Sequence, residues 1–224
     1  MNHPGAGFVE TRAAIPGGRL PPGAGRLPAP PDFQTCAKRF LFAGFCCLAG
    51  VLSQVPVLAQ NTFSGAITNA VTWSGTVVLT GDVTIKTNGN LTIQAGTVVK
   101  AVAKSDDQAG GTASDRVEVI VNGGRLTAVG TSAAPVVFTS GATNAAPGDW
   151  YGLRFVFGSM TVKLCTLDYG RKAVAVEGGG AVVISDSIFR NSSEDGVRIT
   201  PAGTYELSNC SFVNNGGSGL VASD

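Results

Sequence analysis

The sequence predicts an all-β solenoid, a fold in which short strands wind into stacked coils. Two stretches 23 residues apart, "SDSIFRNSS" at 185–193 and "SNCSFVNNG" at 208–216, place serine, phenylalanine and asparagine in the same order. No segment after residue 60 shows a helical period, and apolar residues instead alternate with polar ones in short runs. The 31 glycines and the many Val, Thr and Ser residues favour strands joined by frequent turns.

Successive coils are marked by segments that start at Gly152, Ala173, Gly196 and Gly219, with steps of 21, 23 and 23 residues. Each complete segment contains three apolar alternations separated by turn residues, such as "VRI", "YEL" and "CSF" in the third. Internal repeats of this length are typical of solenoids. We therefore predict coils of about 21–23 residues with three strands each, stacked at the strand spacing of about 4.8 Å.

Stacked coils place equivalent residues in columns, so that each inward side chain is buried against similar side chains above and below. This explains why Phe189 is followed by Phe212 after one 23-residue coil. The predicted inward columns are Leu153/Val174/Val197/Leu220 and Phe155/Val176/Ile199 on the first strand, Val162/Ile184/Leu207 on the second, and Leu167/Phe189/Phe212 on the third.

Two further pairs recur in these columns. Asn191 and Asn214 follow the third strand, where we expect the left-handed backbone conformation and hydrogen bonds between stacked side-chain amides. Cys165 and Cys210 share a column with Ser187 between them. Two coils separate the cysteine α-carbons by about 10 Å, which is too far for a disulfide, so we interpret both as small buried residues.

A family resemblance supports this fold and adds its handedness. The segments that carry it are "GVRI", "LSNCSFVNNGGSGL", "WSGTVVLTGDVTI", "NLTIQAGTVVKA" and "GDWYGLRF". They resemble the right-handed parallel β-helix repeat of secreted polysaccharide-active enzymes and bacterial surface proteins. The resemblance implies the fold and is unspecific for activity. Because the chain stops at Asp224, just after a first strand begins, we expect a solenoid that is incomplete at its carboxyl end.

The amino-terminal part predicts export. Residues 1–35 are rich in Pro, Gly and Arg and lack hydrophobic periodicity, which predicts a disordered leader or a misassigned start codon. Residues 36–59 contain Lys38 and Arg39, an apolar run and a small residue at Ala59, the pattern of a signal peptide cleaved after Ala59. The apolar run is short for a span of about 20 residues, so we favour cleavage over a membrane anchor. We expect a secreted or cell-surface protein without a membrane span after cleavage.

The rest of the chain divides into a predicted amino-terminal cap region over 60–75 and a parallel β-helix over 76–224. Leu91 in "NGNLTI" and Leu126 in "GGRLTA" occupy equivalent places but lie 35 residues apart. Removing the 13 polar residues 104–116 leaves 22, which is the coil period. We therefore predict a projecting loop at 104–116.

Composition excludes several functions. The single histidine, His3, precedes the predicted cleavage site, so the exported part has no Ser–His–Asp or Cys–His catalysis and no histidine-ligated zinc. A formal net charge of +1 is a poor basis for nucleic-acid binding. No catalytic constellation is recognised elsewhere in the sequence.

Candidate glycan-binding residues lie on or beside the first strands. Arg154 and Arg198 are predicted outward and two coils apart, which suits an acidic sugar polymer, and the resemblance to β-helix lyases implies an Arg or Lys base. The alternative is that both are solvated surface residues. Trp150 and Tyr151 offer a stacking face to a sugar ring, unless they pack beside the following strand.

Asp106, Asp107, Asp115 and Glu118 cluster in or beside the predicted loop. Several carboxylates are the ligands that calcium prefers, which makes calcium the one candidate cofactor. A flexible acidic loop without metal is the alternative.

These features favour a non-catalytic module: an exported bacterial β-helix that serves as a cell-surface or extracellular scaffold of the adhesion type, with a polysaccharide or cell-envelope glycan as its expected partner. The alternative is the amino-terminal part of a polysaccharide lyase or glycoside hydrolase whose active coils lie beyond residue 224.

Overall fold

The structure, a computed structural model, describes residues 61–200 and 203–223, and these form a parallel solenoid of sixteen strands joined in one continuous sheet. The described residues contain no helix. The predicted leader and signal peptide lie outside the described residues. The strands are β1 (Asn61–Ile67), β2 (Ala70–Trp73), β3 (Thr76–Lys86), β4 (Asn90–Ile93), β5 (Val98–Ala101), β6 (Glu118–Val129), β7 (Val136–Ser140), β8 (Gly152–Lys163), β9 (Cys165–Asp168), β10 (Val174–Val176), β11 (Gly180–Ser185), β12 (Ile188–Arg190), β13 (Val197–Ile199), β14 (Thr204–Ser208), β15 (Ser211–Val213) and β16 (Leu220–Ala222).

The strand register confirms every predicted inward column. Every pairing between named strands is parallel, and strands pair with their equivalents in the neighbouring coils, those of the first and last coils on one side only. Phe189 of β12 pairs with Leu167 of β9 on one side and with Phe212 of β15 on the other. The remaining columns follow the same register: Leu153/Val174/Val197/Leu220, Phe155/Val176/Ile199 and Val162/Ile184/Leu207.

The inward side chains form one hydrophobic core that runs along the solenoid axis from Ile67 to Ile199. Side chains in the last coil, such as Leu207 and Phe212, are only partly buried against it. Burial of this continuous apolar column is the main stabilising contribution to the fold.

The early coils differ from the predicted three separate strands. β3, β6 and β8 are 11–12 residues long because each continues around a corner, β3 from the third side to the first, and β6 and β8 from the first side to the second. The corner between the first and second sides is marked by register shifts between Val121 and Arg125 and by positive φ at Gly123 (94°) and Gly158 (120°). Glycine adopts this conformation without steric cost, so the chain bends there without ending the strand.

The segment predicted as a cap, residues 60–75, contains β1 and β2. β1 pairs in parallel with β3, and β2 pairs in parallel with β4, so these strands cover one edge of the sheet. The equivalence of Leu91 and Leu126 is confirmed by direct pairing of β4 with β6. Between β5 and β6, residues 102–117 contain no strand, and we call this segment the acidic loop. It lies against β3 through a backbone hydrogen bond from Asp107 N–H to Thr80 O of 3.1 Å.

Six of the non-glycine residues with left-handed backbone form two turn columns. Asn191 and Asn214 are at φ of 54° and 53°, as predicted, and Tyr169 precedes them in the same column at 60°. The predicted ladder of stacked amides is wrong for Asn191. Its Nδ2 donates to Asp168 Oδ1 at 2.8 Å instead, because a carboxylate is a stronger acceptor than an amide oxygen. The second column contains Leu164, Asp186 and Asn209 at 51–52°.

Candidate functional site

The outward arginines occupy the places that the sequence predicted, but acidic neighbours neutralise them. Ala175 separates Arg154 from Arg198 in the register, so the two lie two coils apart. Arg154 Nε lies 2.7 Å from Glu177 Oε2. Arg198 Nη2 lies 2.6 Å from Oδ2 of the buried Asp195 carboxylate. Neither guanidinium is free to act as the charge partner of an acidic polymer without breaking an ion pair.

The predicted aromatic face is closed, which corrects the expectation of sugar stacking. Trp150 is 1% exposed, and its indole N–H donates to Asp168 O at 2.8 Å. Tyr151 is 2% exposed and lies beneath Arg171 and Lys172, whose cationic groups are 5.9 and 5.5 Å from the ring centroid. Tyr151 is covered by residues of the next coil, whereas Trp150 also stacks on Phe138 of the preceding coil, with ring centroids 6.4 Å apart.

The four predicted metal-ligating carboxylates do not converge. Among residues 61–200 and 203–223, no three His, Cys, Asp or Glu side chains are grouped so that they could hold a metal ion. Asp115 pairs with Arg116, with Nη1 and Oδ2 2.6 Å apart. Asp107 Oδ2 accepts the Thr80 hydroxyl at 2.7 Å.

Asp106 and Glu118 have structural partners on both sides of the acidic loop. Asp106 Oδ1 accepts the backbone N–H of Asp82 at 2.9 Å. Glu118 Oε1 accepts the backbone N–H groups of Thr112 and Ala113 at 2.6 and 2.8 Å. These carboxylates therefore hold the acidic loop onto the sheet.

Asp82 is the residue that sequence reasoning missed. It is 4% exposed, Glu118 is 0% exposed, and the Glu118 N–H donates to Asp82 Oδ1 at 2.7 Å. The other oxygens, Asp82 Oδ2 and Glu118 Oε2, are buried without a hydrogen-bond partner. Both lie beside Gly111, since an added Cβ there would be 2.8 Å from Asp82 Oδ2 and 2.7 Å from Glu118 Oε2. We call these two residues the buried acid pair.

The electrostatics of the buried acid pair are unfavourable for two negative charges. The pKa of Asp82 is raised to about 7, chiefly by burial and also by the negative charges of Asp106 and Glu118, while the Glu118 N–H and Arg154 act to lower it. Burial also raises the pKa of Glu118. The nearest cation to the pair's free oxygens is Arg154, whose Nη1 is 3.7 Å from Glu118 Oε2.

An open groove lies at the corner between the first and second sides of the solenoid. Its volume is about 320 Å³. Amide, hydroxyl and guanidinium groups line it together with the corner glycines: Asn88, Gly89, Asn90, Gly123, Gly124, Arg125, Gly158 and Ser159. Arg125 is exposed, and no ion pair involving it is formed among the described residues. This groove was not anticipated, because its residues come from three different coils.

Comparison with protein families decides the identity of the fold. A family model described as a pectate-lyase like beta helix domain matches residues 65–184, more than half of the 224-residue chain. A second, described as a right handed beta helix region, matches residues 151–224. The chain is a pectate-lyase-like β-helix protein. No curated protein and no solved structure matches it.

Membership of the pectate-lyase-like β-helix family accounts for the parallel coils and for their right-handed winding. It assigns no residue of this β-helix to catalysis or binding. In the part of the chain that the structure describes, no helix is long and apolar enough to cross a membrane.

Proposed function

We propose that this β-helix is an exported cell-surface or extracellular scaffold of the adhesion type, and that it binds a glycan without cleaving it. One observation supports the proposal that the glycan is not cleaved. Arg154 and Arg198, the outward cations that were the candidates for a lyase base, are engaged by Glu177 and Asp195 at 2.7 and 2.6 Å. An arginine whose positive charge is stabilised by an adjacent carboxylate is a poor proton acceptor.

The charge distribution of the outer surface favours binding of a neutral rather than an acidic glycan. Ion pairs cross-link neighbouring coils at Arg154–Glu177, Arg171–Glu194 and Arg190–Asp168. They leave little uncompensated positive charge for a polyuronate. The corner groove, in contrast, offers the Asn88 and Asn90 amides, the Ser159 hydroxyl and the Arg125 guanidinium. Groups of this kind donate and accept hydrogen bonds with sugar hydroxyls.

A second candidate is the amino-terminal part of a polysaccharide lyase or glycoside hydrolase. The match of residues 65–184 to a pectate-lyase like beta helix domain favours it. In that case the active coils lie outside residues 1–224 or use Arg154 or Arg198 after their ion pairs open.

Activity assays separate the two candidates. The full chain is incubated with pectate, alginate, chondroitin and xylan, with and without calcium, and unsaturated products and new reducing ends are measured. The scaffold proposal predicts no product from any polymer. Product formed by the wild type would overturn it, and loss of that product in Arg154→Ala or Arg198→Ala would assign the cleavage to these arginines.

Glycan binding is tested with a charge-matched pair of variants. We expect the full chain to be retained on an insoluble neutral glycan such as xylan, and Arg125→Ala to weaken that retention. Lys100→Ala removes one positive charge away from the corner groove and should leave retention unchanged. Equal retention of both variants, or retention on pectate alone, would contradict a neutral-glycan groove.

Export rests on the signal-peptide pattern at 36–59. The protein secreted by a host cell should begin at Gln60, as read by amino-terminal sequencing and intact mass. Retention of residues 1–59 in the secreted protein would contradict cleavage after Ala59.

A further inference from the structure

The acidic loop is fastened by carboxylates in addition to backbone hydrogen bonds such as Asp107 N–H to Thr80 O. Asp106 accepts from the Asp82 N–H on β3, and Glu118 at the start of β6 accepts from two loop N–H groups. Between residues 102 and 116, Ala113 has the only buried side chain. It packs in a small cluster with Tyr151 and Ala175. Val117 at the end of the loop lies in the main core, but apolar contact over 102–116 is small, so the charges of the carboxylates strongly affect how firmly this part of the loop is held.

The buried acid pair lies directly behind this attachment. Asp82 Oδ2 and Glu118 Oε2 face the same Gly111 backbone, and neither receives a hydrogen bond. Two buried, unpaired negative charges are strongly unfavourable. Arg154 compensates only in part, since it lies 3.7 Å from Glu118 Oε2 and its Nε is bound to Glu177 at 2.7 Å.

The surroundings of the pair decide which positive charge neutralises it. An open groove of about 250 Å³ adjoins Asp82 and Gly111, but the two unpartnered oxygens are themselves buried. Among residues 61–200 and 203–223, no three His, Cys, Asp or Glu side chains are grouped so that they could hold a metal ion, whereas a proton needs only one carboxylate oxygen. A proton on Asp82 removes the repulsion with Glu118 and Asp106 and supplies a donor near the unpartnered Glu118 oxygen.

We propose that Asp82 carries a proton while the acidic loop is closed, and that loss of this proton loosens the loop, so that the buried acid pair acts as a pH-sensitive latch. The charged groups that face Asp82 are Glu118 from β6, Asp106 from the acidic loop and Arg154 from β8. The negative charge of Glu177, which is paired with Arg154, also raises the pKa of Glu118.

The direction of the effect follows from linkage. Burial raises the pKa of Asp82 to about 7 in the closed state. In an open loop the carboxyl meets water, where its pKa is about 3.9. The closed state therefore binds the proton more tightly. The stabilisation of the closed loop by this proton is fully present below about pH 4 and is lost as the pH rises to about 7. The closed-to-open ratio changes at most about tenfold per pH unit within that window.

Hydrogen exchange of the full chain tests the latch. Protection factors, corrected for the chemical exchange rate, are measured at about pH 5.5 and about pH 7.5 for peptides covering 104–116. We expect loop protection to fall about twentyfold at the higher pH. Peptides covering 174–199, in the body of the solenoid, should show no such loss.

Variants assign the effect to Asp82. Asp82→Asn is neutral at every pH and presents a donor like the protonated acid, so loop protection should become independent of pH. Asp186→Asn removes an exposed carboxylate elsewhere and should retain the wild-type profile. Should Asp82→Asn fail to fold, Glu118→Gln replaces it. Removing the neighbouring charge should move the midpoint of the profile to lower pH.

Two results would overturn the proposal. One is a pH profile unchanged by Asp82→Asn, or unchanged by Glu118→Gln where that variant is used. The other is recovery of wild-type loop protection at about pH 7.5 on adding calcium chloride, reversed by a chelator, since the pair would then hold a metal ion instead of a proton.

Discussion

Phe189 and Phe212 lie in register on β12 and β15, with their ring centroids 5.5 Å apart and their planes inclined by 22°. Phe189 is fully buried between Leu167 and Phe212, whereas Phe212 is only partly buried. A stack of similar side chains along one column is the physical reason why the sequence repeats after 23 residues.

The first prediction concerns this stack. Phe189→Ala should lower the free energy of unfolding by about 3–5 kcal/mol, because it leaves a cavity in a packed core. Phe212→Ala should cost less, because one side of its ring has no neighbouring coil. Glu206→Ala, at an exposed position on β14, should change stability by less than about 0.5 kcal/mol. Chemical denaturation measures all three, and equal tolerance of the two Phe variants and Glu206→Ala would contradict the stack.

The second prediction compares two carboxylates that each accept hydrogen bonds from side chains of the next coil. Asp168 is buried and accepts from Arg190 Nε and Asn191 Nδ2, each at 2.8 Å. Asp186 is exposed and accepts from Asn209 Nδ2 at 2.7 Å. Asp168→Ala should destabilise the fold by about 1–3 kcal/mol, since it leaves partly buried donors unpaired.

Asp186→Asn is the control, because asparagine tolerates the left-handed φ of 52° at this position. Its free energy of unfolding should stay close to the wild-type value because water replaces the lost charge partner. The measurement is denaturant unfolding of both variants under the same conditions. A larger loss for Asp186→Asn than for Asp168→Ala would refute the idea that burial sets the strength of these cross-coil contacts.

The third prediction uses the turn column of Leu164, Asp186 and Asn209. Leu164 has a φ of 51°, a conformation that costs a residue of this type about 1–2 kcal/mol and that asparagine tolerates. Leu164→Asn should therefore raise the free energy of unfolding by about 1 kcal/mol. Thr166→Asn, within β9, is the control and should give no gain. A loss of stability for Leu164→Asn would show that the packing of the Leu164 side chain outweighs the relief of backbone strain.

The fourth prediction concerns thiol reactivity. Burial raises the pKa of Cys165 to about 12, and it also raises the pKa of the half-buried Cys210. Since the thiolate is the reactive form, both should alkylate slowly near neutral pH and faster as the pH rises. In the native protein Cys210 should react before Cys165, as followed by mass spectrometry of tryptic peptides. Faster labelling of Cys165 would contradict its place in the core.

The repeat made the columns predictable. Gly152, Ala173, Gly196 and Gly219 follow one another at the coil period, so the inward positions of β8, β10, β13 and β16 could be aligned by counting. The interior of a solenoid allows only this register, because a shift by one residue would turn the apolar side chains outward.

The side-chain contacts of the candidate site were less predictable, because partners from different coils are distant in sequence. Asp82 lies within an ordinary strand segment, and its neighbour Glu118 is 36 residues away beyond the acidic loop. Arg154 looked free in the sequence, since Glu177 is separated from it by a whole coil. Tyr151 looked like a surface aromatic because Lys172, which covers it, comes later in the chain, and Trp150 because its stacking partner Phe138 belongs to the preceding coil.

The most direct test of the coil-by-coil stack is a peptide map of oxidised protein. Ser187 lies one coil from Cys165, whose N–H donates to its Oγ at 3.1 Å, and one coil from Cys210 on the other side. One coil of about 4.8 Å is within the reach of a disulfide, whereas two coils are not. Ser187→Cys should therefore bridge to Cys165 or Cys210 under mild alkaline oxidation, while the wild type and Ser185→Cys should form no bridge. A Cys165–Cys210 bridge in the wild type, or a bridge in Ser185→Cys alone, would contradict the register on which the whole account depends.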